Sequence, residues 1–354
     1  MNAPMKPITI PALAADVGFF ATKFTLGRTA NKDHSEIVVS QFPSVTPRIF
    51  NELNSLPNAA ALDGVVIEVE PGVSHFVGKD VMHAVKGHGT RAVIPNFSET
   101  SSYKALFLGA LYYVAKHYGA TTELVIKHMV VGLPLSTLYS HNESLKTFVE
   151  GQHTIPSPTN PNGQIKVTIL RAMVVAQPQG ALFNQVVNKF GAPADSTTLV
   201  LDMGGGTFDW FVSKGPIPNH QRCGSAPIGA LACATAVCDQ INPNLKDDNE
   251  ILSRVDRALR EGSQTVKITG RDLEMQKYWP AVKGVMQDAI EQMMKSVGSL
   301  HNIDAILVTG GGAKLLAKVA ADMLPEFAHL MEVDSNPVES NVRGFHVISE
   351  LYSA

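Results

Sequence analysis

The sequence predicts an α/β protein of two lobes, one fold used twice with a ligand held between the copies. Three observations predict it. Residues 197–212, TTLVLDMGGGTFDWFV, read as strand, glycine turn and strand, with Asp202 closing the first strand and Asp209 opening the second. Residues 8–26 repeat that order in the first half, with Asp16 and Gly18 at the turn. A third glycine run, Gly310, Gly311 and Gly312, lies between an apolar strand and a helix. A chain of 354 residues is long enough to bury two cores.

Composition narrows the class. Charged residues are 17% and hydrophobic ones 45%, as in a globular chain and unlike a disordered one. A net charge of −3 argues against broad nucleic-acid binding through a basic surface, and leaves room for a DNA-bound protein partner. Cys223, Cys233 and Cys238 form no C-x-x-C and have no histidine at ligand spacing. They speak against zinc and suit a reducing cytoplasm. Residues 1–11 hold Pro4, Pro7 and Pro11 and no long apolar core, unlike a signal peptide. The longest apolar run, 105–115, is about half a membrane span. A soluble cytoplasmic protein with no membrane partner is expected.

In the first half, 8–15 reads as a strand, 16–23 as a turn ending in Lys23, and 24–26 as a second strand, with a further turn at Asn31-Lys32-Asp33. A short strand is expected at 37–39 and loop over 40–58. Strands 65–69 and 73–77 flank Glu70-Pro71-Gly72, a hairpin signal. A short helix should begin in 78–86. Residues 98–102 offer N-caps for a helix 103–118, where Leu106, Leu108, Ala110, Leu111 and Val114 suit burial. Residues 129–133 form an apolar strand closed by Pro134. Residues 152–163 read as an exposed turn, and 165–169 with 172–175 complete the sheet. Gln177-Pro178 breaks that strand and a helix follows over 180–189.

The chain crosses into its second lobe here. Strands 198–201 and 210–212 flank the glycine turn. Glycine allows positive φ and close approach of a ligand. Consecutive N–H groups in such a turn make a nest for phosphate oxygens, and a carboxylate at the strand end suits a hydrated Mg²⁺. The turn is no P-loop, since G-x-x-x-x-G-K-[ST] is absent, and no Rossmann fingerprint, since a strand follows the glycines. Taken alone it also fits a plain glycine-rich hairpin. Gly229 precedes a helix over 230–241, and 242–250 is polar loop. Helices follow at 251–261, 278–299, 314–323 and 341–351, and strands at 304–308 and 331–333. The helix after Gly312 offers free N–H groups and a positive dipole end. Together these place a polyphosphate between two hairpins, with the third glycine turn against the rest of a nucleotide. Lys23 supplies a point charge there, although a solvated strand lysine fits the position as well. Lobe I is expected to span 1–176 plus 334–354, and lobe II 177–333.

These three segments, in this order, resemble the actin-like ATPase superfamily. Asp16, Gly18 and Lys23 look like its first phosphate loop, Asp202 to Asp209 like its second, and Val308 to Ala313 like its adenosine motif. The tail from Asn336 to Phe345, together with Ser102-Tyr103-Lys104-Ala105-Leu106 and Gly132-Leu133-Pro134-Leu135, is similar to the ParM/StbA branch of plasmid-segregation actins. The resemblance implies an actin-like, ribonuclease H-like duplicated fold around a nucleotide cleft. It implies ATP with Mg²⁺ held through water by Asp16 and Asp202. The β- and γ-phosphates would lie on the backbone at Gly18, Phe19 and Phe20 and at Gly204, Gly205, Gly206 and Thr207, with Lys23 neutralising charge. Phe19 and Phe20 stand where actin has small or hydroxylated residues, so only backbone contacts carry over there. Gln177 would orient the attacking water; a domain-hinge residue with a structural hydrogen bond is the alternative there. A neutral amide takes no proton at pH 7, which implies slow hydrolysis. Gly310, Gly311 and Gly312 would back the ribose and α-phosphate, with Gly229 near the phosphates or sugar. Adenine contacts fall to the helix 251–261, with Arg254 and Arg257 as candidates, although a solvated helix face suits both arginines better. Gly180 and Gly344 would let the two inter-lobe helices cross closely as a hinge. In that branch, ATP-bound subunits assemble head to tail into filaments that move plasmids through an adaptor protein on DNA. The alternatives are a non-polymerising ATPase, chaperone-like or sugar-kinase-like, and a module that binds nucleotide without hydrolysing it.

Overall fold

A computed structural model describes residues 7–29, 35–49, 62–84, 93–188 and 195–353. In the first half, β1 (Ile8–Val17), β2 (Ala21–Arg28) and β3 (Ile37–Pro43) form a meander, and β4 (Gly64–Glu70) with β5 (Val73–Gly78) forms a separate hairpin. Then come α1 (Ser101–Tyr118), β6 (Glu123–Leu133), α2 (Leu135–Val149), β7 (Gly151–Pro156), β8 (Gln164–Ala176) and α3 (Gln177–Asn188). The sheet order is β3-β2-β1-β6-β8-β7.

In the second half, β9 (Thr197–Met203) and β10 (Phe208–Lys214) form the glycine hairpin, followed by the short β11 (Ile217–Pro218) and β12 (Gly224–Ala226). Helices α4 (Ala230–Ile241) and α5 (Asn249–Glu261), the hairpin β13 (Thr265–Ile268) and β14 (Arg271–Glu274), and α6 (Trp279–Val297) come next. The chain continues through β15 (Ala305–Thr309), α7 (Ala313–Met323), β16 (Met331–Val333) and α8 (Ser340–Ser353). The second sheet runs β11-β10-β9-β15-β16, with β12 also on β10.

One four-strand unit recurs. β1 pairs antiparallel with β2 and parallel with β6, which is parallel to β8. β9 pairs antiparallel with β10 and parallel with β15, which is parallel to β16. The central strands are covered on both faces, so β9 and β10 are buried along nearly their whole length and read as apolar runs. This is the duplicated α/β fold that the two Asp-led hairpins predict.

Two helices join the halves by packing on the sheet they do not follow. α3 leaves β8 of the first sheet, yet Ala181 and Leu182 pack on Val200, Phe211 and Leu307 of the second. α8 follows the second sheet, yet Val342, Phe345 and Ile348 pack on Ala14, Val130 and Val175 of the first. They cross where both lack side chains. A Cβ on Gly344 would stand 1.7 Å from Gly180 O, and one on Gly180 would stand 2.4 Å from Asn341 O. Only glycine fits a backbone approach of that kind.

Several expectations change. Residues 135–149, left without an element, form α2. The expected turn 152–163 is half strand, since β7 pairs with β8 as far as Pro156. As an edge strand β7 fully buries only Ile155, too thin a pattern to read from apolar residues. The hairpin β13–β14 was not expected; it turns at Thr269-Gly270, both at positive φ. β6 begins at Glu123, six residues early, because exposed Lys127 interrupts its apolar run. β3 runs on to Pro43, into the stretch expected as loop. The helix expected in 78–86 is one 3₁₀ turn, Val81–Ala84, within the described residues. The turn at Asn31-Lys32-Asp33, residues 50–58 of the expected loop, and Lys189 lie outside the described residues. Among the described residues no helix is long and apolar enough to cross a membrane.

Candidate functional site

The first hairpin brings Asp16 to the end of β1, directly opposite Lys23 on β2. Lys23 Nζ donates to Asp16 Oδ2 at 2.9 Å. Gln177, where β8 becomes α3, donates through Nε2 to Asp16 Oδ1 at 2.8 Å. Asp16 is 2% exposed, so these two bonds hold both oxygens of a buried carboxylate. The turn itself is closed by Gly18 N–H on Ala21 O at 3.2 Å.

The second hairpin pairs Asp202 with Asp209 across the strands. Gly204 N–H closes its turn on Thr207 O at 2.9 Å. The N–H groups of Ala230 and Leu231, at the start of α4, hold the carbonyls of Gly204 and Gly205, each at 2.9 Å. Gly229 must be small because a Cβ there would come within 2.4 Å of Gly205 O. Asn341, at the start of α8, donates through Nδ2 to Asp202 Oδ2 at 2.7 Å. Asp202 Oδ1 is buried with no hydrogen-bond partner among the described residues. Gly310, at φ 88°, passes so close that a Cβ would lie 2.4 Å from that oxygen.

Burial pushes the Asp202 carboxyl up to about 7, reinforced by Asp209 and Asp16, while the Asn341 bond and Lys23 oppose it. Burial also raises Asp209, to about 6, against the N–H of Leu135. That bond, 2.8 Å long, lets a second-half carboxylate cap the first residue of α2.

Thirteen of the residues expected at the site line one cleft: Asp16, Gly18, Phe19, Phe20, Lys23, Gln177, Asp202, Gly204, Gly205, Gly206, Thr207, Gly310 and Gly311. Gly229 and Gly312 are not in its wall. Gly229 stands behind the second turn, and Gly312 faces Met203, whose carbonyl it binds at 2.9 Å. Phe19 and Phe20 lie against the glycines of the opposite loop. A Cβ on Gly206 would meet the Phe19 ring at 2.5 Å, and one on Gly205 would meet Phe20 Cβ at 2.7 Å. Phe19 is also stacked on Phe97 at 4.8 Å. The triple glycine therefore makes room for the two aromatic side chains facing it.

On α5 the structure takes the solvated alternative for the two arginines. Arg254 and Arg257 are exposed and outside the cleft; Arg254 pairs with Glu250. Asp256 and Arg260 line the cleft instead, joined by Arg260 Nε to Asp256 Oδ2 at 2.7 Å. The Arg260 guanidinium lies 5.6 Å from the centre of the Phe20 ring. A signal was available, because Asp256 falls on the apolar stripe of Leu252, Val255 and Leu259. Asn341 also lines the cleft, and no local pattern in the sequence marks it beyond the tail resemblance.

The description "Actin like proteins N terminal domain" matches residues 14–180, and "Archaeal actin homologue MreB-like, C-terminal" matches residues 200–321. The chain belongs to the actin-like proteins. No curated protein sequence matches it. This actin-like chain is similar in structure to psk41 ParM, with 17% identity, a TM-score of 0.65, and 96% of this chain and 97% of that one covered. It is similar to Ta0583, an archaeal actin homologue solved with ADP, with 18% identity, a TM-score of 0.70, and 97% and 99% covered. A 15-stranded ParM filament from Clostridium botulinum matches with 19% identity, a TM-score of 0.67, and 98% and 100% covered. At such identities the likeness shows the actin-like fold. The ParM branch named from the sequence has structural neighbours of that name.

Proposed function

We propose that this actin-like protein binds ATP with Mg²⁺, hydrolyses it slowly, and polymerises head to tail in its ATP-bound form. The observation that carries the reading is the cleft between Asp16 and Asp202, one carboxylate from each half, with glycine turns on both sides. The lobes divide at 176/177 and 333/334, and the cleft lies between them.

The residues fit a nucleotide with a hydrated cation. Asp202 Oδ1 is a buried acceptor without a donor among the described residues, as a water on Mg²⁺ requires. A cation nearby favours the carboxylate form and so offsets the burial that raises this group. Mg²⁺ supplies charge neutralisation of the phosphates and a hydration shell for Asp16 and Asp202 to hold. Backbone N–H groups of the two turns bind phosphate oxygens, and Lys23 adds a point charge while pinning Asp16. Gln177 orients the attacking water; its amide accepts no proton, so hydrolysis is slow. Asp256 and Arg260 bind the nucleoside end, in place of Arg254 and Arg257. Gly229, Gly310, Gly311 and Gly312 shape the turns that back the ribose and phosphates.

Ta0583 was solved with ADP and a ParM relative as a filament, and both support the reading. The filaments serve DNA segregation in a bacterial cytoplasm, most simply of a plasmid, through an adaptor protein that carries the DNA contact. With a net charge of −3, little direct DNA binding is expected. Phosphate release by wild type and Asp202→Ala, beside electron microscopy with ATP and Mg²⁺, tests the proposal. Release only from wild type, with filaments, supports it. Equal release removes Asp202, and release without polymer favours a non-polymerising ATPase.

A further inference from the structure

Two buried acceptors on side chains that line the cleft have no donor among the described residues, Asp202 Oδ1 and Asn341 Oδ1. They sit on side chains that are already joined, since Asn341 Nδ2 donates to Asp202 Oδ2 at 2.7 Å. The pair is 3% and 8% exposed, so solvent reaches neither freely. An unpaired buried acceptor is costly, and two on one bonded pair call for a donor with several hydrogens to give. Water held by a cation is such a donor. Its oxygen faces the metal and both hydrogens face outward, so its neighbours must be acceptors.

We propose that Asn341 is a positioning residue for Asp202. Its Nδ2 fixes one carboxylate oxygen and leaves Oδ1 for the hydration shell of Mg²⁺, and its own Oδ1 is a second acceptor for that shell. The inference rests on the Mg²⁺·nucleotide reading above. The residue type fits the task. An aspartate at 341 would have no N–H to hold Asp202 and would set like charges side by side. Asp16 is held by the same device, because Gln177, the first residue of α3, donates to it at 2.8 Å. Each inter-lobe helix therefore carries, within its first two residues, an amide that fixes the cleft carboxylate of one lobe.

The test titrates the full chain with a fluorescent ATP analogue, in excess Mg²⁺ and in chelator. Wild type binds more tightly with Mg²⁺. Asn341→Ala reduces that Mg²⁺-dependent gain about tenfold and leaves affinity in chelator within about twofold, as loss of an outer-shell partner does. Asn341→Ser behaves alike, and its hydroxyl keeps the buried face polar should the alanine variant fail to fold. In an Asp202→Ala background Asn341→Ala has a smaller effect than in wild type, because only its own acceptor is then lost and nothing is left to position. An unchanged Mg²⁺ gain in both Asn341 variants, or a loss that adds in full to that of Asp202→Ala, overturns the inference alone. Wild type that binds equally with and without Mg²⁺, or not at all, overturns the reading beneath it, and that is seen before any variant is made.

Discussion

Gln177 shows how much one amide decides. Its N–H₂ holds Asp16 Oδ1 at 2.8 Å, so a carboxylate in its place would lose the donor and repel a buried neighbour. Gln177→Ala is expected to slow phosphate release roughly 100-fold with nucleotide affinity little changed. Gln177→Glu, which adds a base, is expected to slow it as well. A faster Glu variant in a phosphate-release assay would show that the Gln177–Asp16 bond is dispensable in turnover. At the nucleoside end, Arg260→Ala removes the cation over Phe20 and one partner of Asp256. Nucleotide affinity should fall about tenfold by fluorescence titration, about 1.4 kcal/mol, while kcat holds. Most of this site was legible because loops announce themselves by residue type. Asp16, Asp202 and the glycine runs are local signals. Arg260 and Asn341 were not legible, since a guanidinium one helical turn further along α5 reaches a cleft that only the tertiary fold creates.

The elements were legible where one face is strongly apolar and faint where it is not. Helix α1 carries its own start and stop, with Thr100 Oγ1 accepting from Tyr103 N–H at 3.1 Å and Gly119 at φ 63°. Helix α2 buries only Leu145 and Val149 fully and takes its N-terminal partner from Asp209 in the other half, a cap that sequence order hides. The crossing of α3 and α8 gives a paired test. Gly344→Ala forces a methyl onto Gly180 O and should cost about 1–3 kcal/mol in urea unfolding. Gly284, inside α6 with open space at its Cβ, should gain about 1 kcal/mol on the same change. Helix α8 is also tied to β2 by Glu350. Burial pushes its carboxyl up, but hydrogen bonds from His346 and Arg28 prevail and hold it at about 2. The folded group thus titrates below its ordinary value, so its contribution is present above about pH 4.5 and is lost as pH falls toward 2. Glu350 is half-buried, so about 1 kcal/mol is expected after screening. Melting curves of wild type and Glu350→Gln should differ at pH 7 and converge in that acid window.

At the scale of the molecule, the ties between the two halves include the Gly180–Gly344 crossing, Asp209 on α2, the Phe19–Phe20 loop on the triple glycine, and Tyr139 Oη bonded to His220 Nδ1 at 2.9 Å. The Phe19–Phe20 loop lines the cleft, and Gly180 and Asp209 stand beside Asn341 and Asp202, which line it too, so a ligand there bears on the angle between the lobes, and with it on the surfaces a neighbouring subunit would meet. The sequence is silent about those surfaces for a physical reason. Among the described residues its exposed large apolar side chains, Val66, Tyr139, Leu170, Ile217 and the adjacent Leu351 and Tyr352, form no run longer than two along the chain. Assembly is therefore decided by behaviour in solution. A head-to-tail contact that does not close into a ring adds subunits without limit once the concentration passes a threshold, whereas a closed oligomer saturates at a fixed size. Sedimentation of the protein with ATP and Mg²⁺ should show no pellet below a threshold concentration and a linear rise above it. Asp202→Ala should show none at any concentration tested. A wild-type species of fixed mass across the same range would mean that the interface closes, and the filament reading would give way to a discrete oligomer.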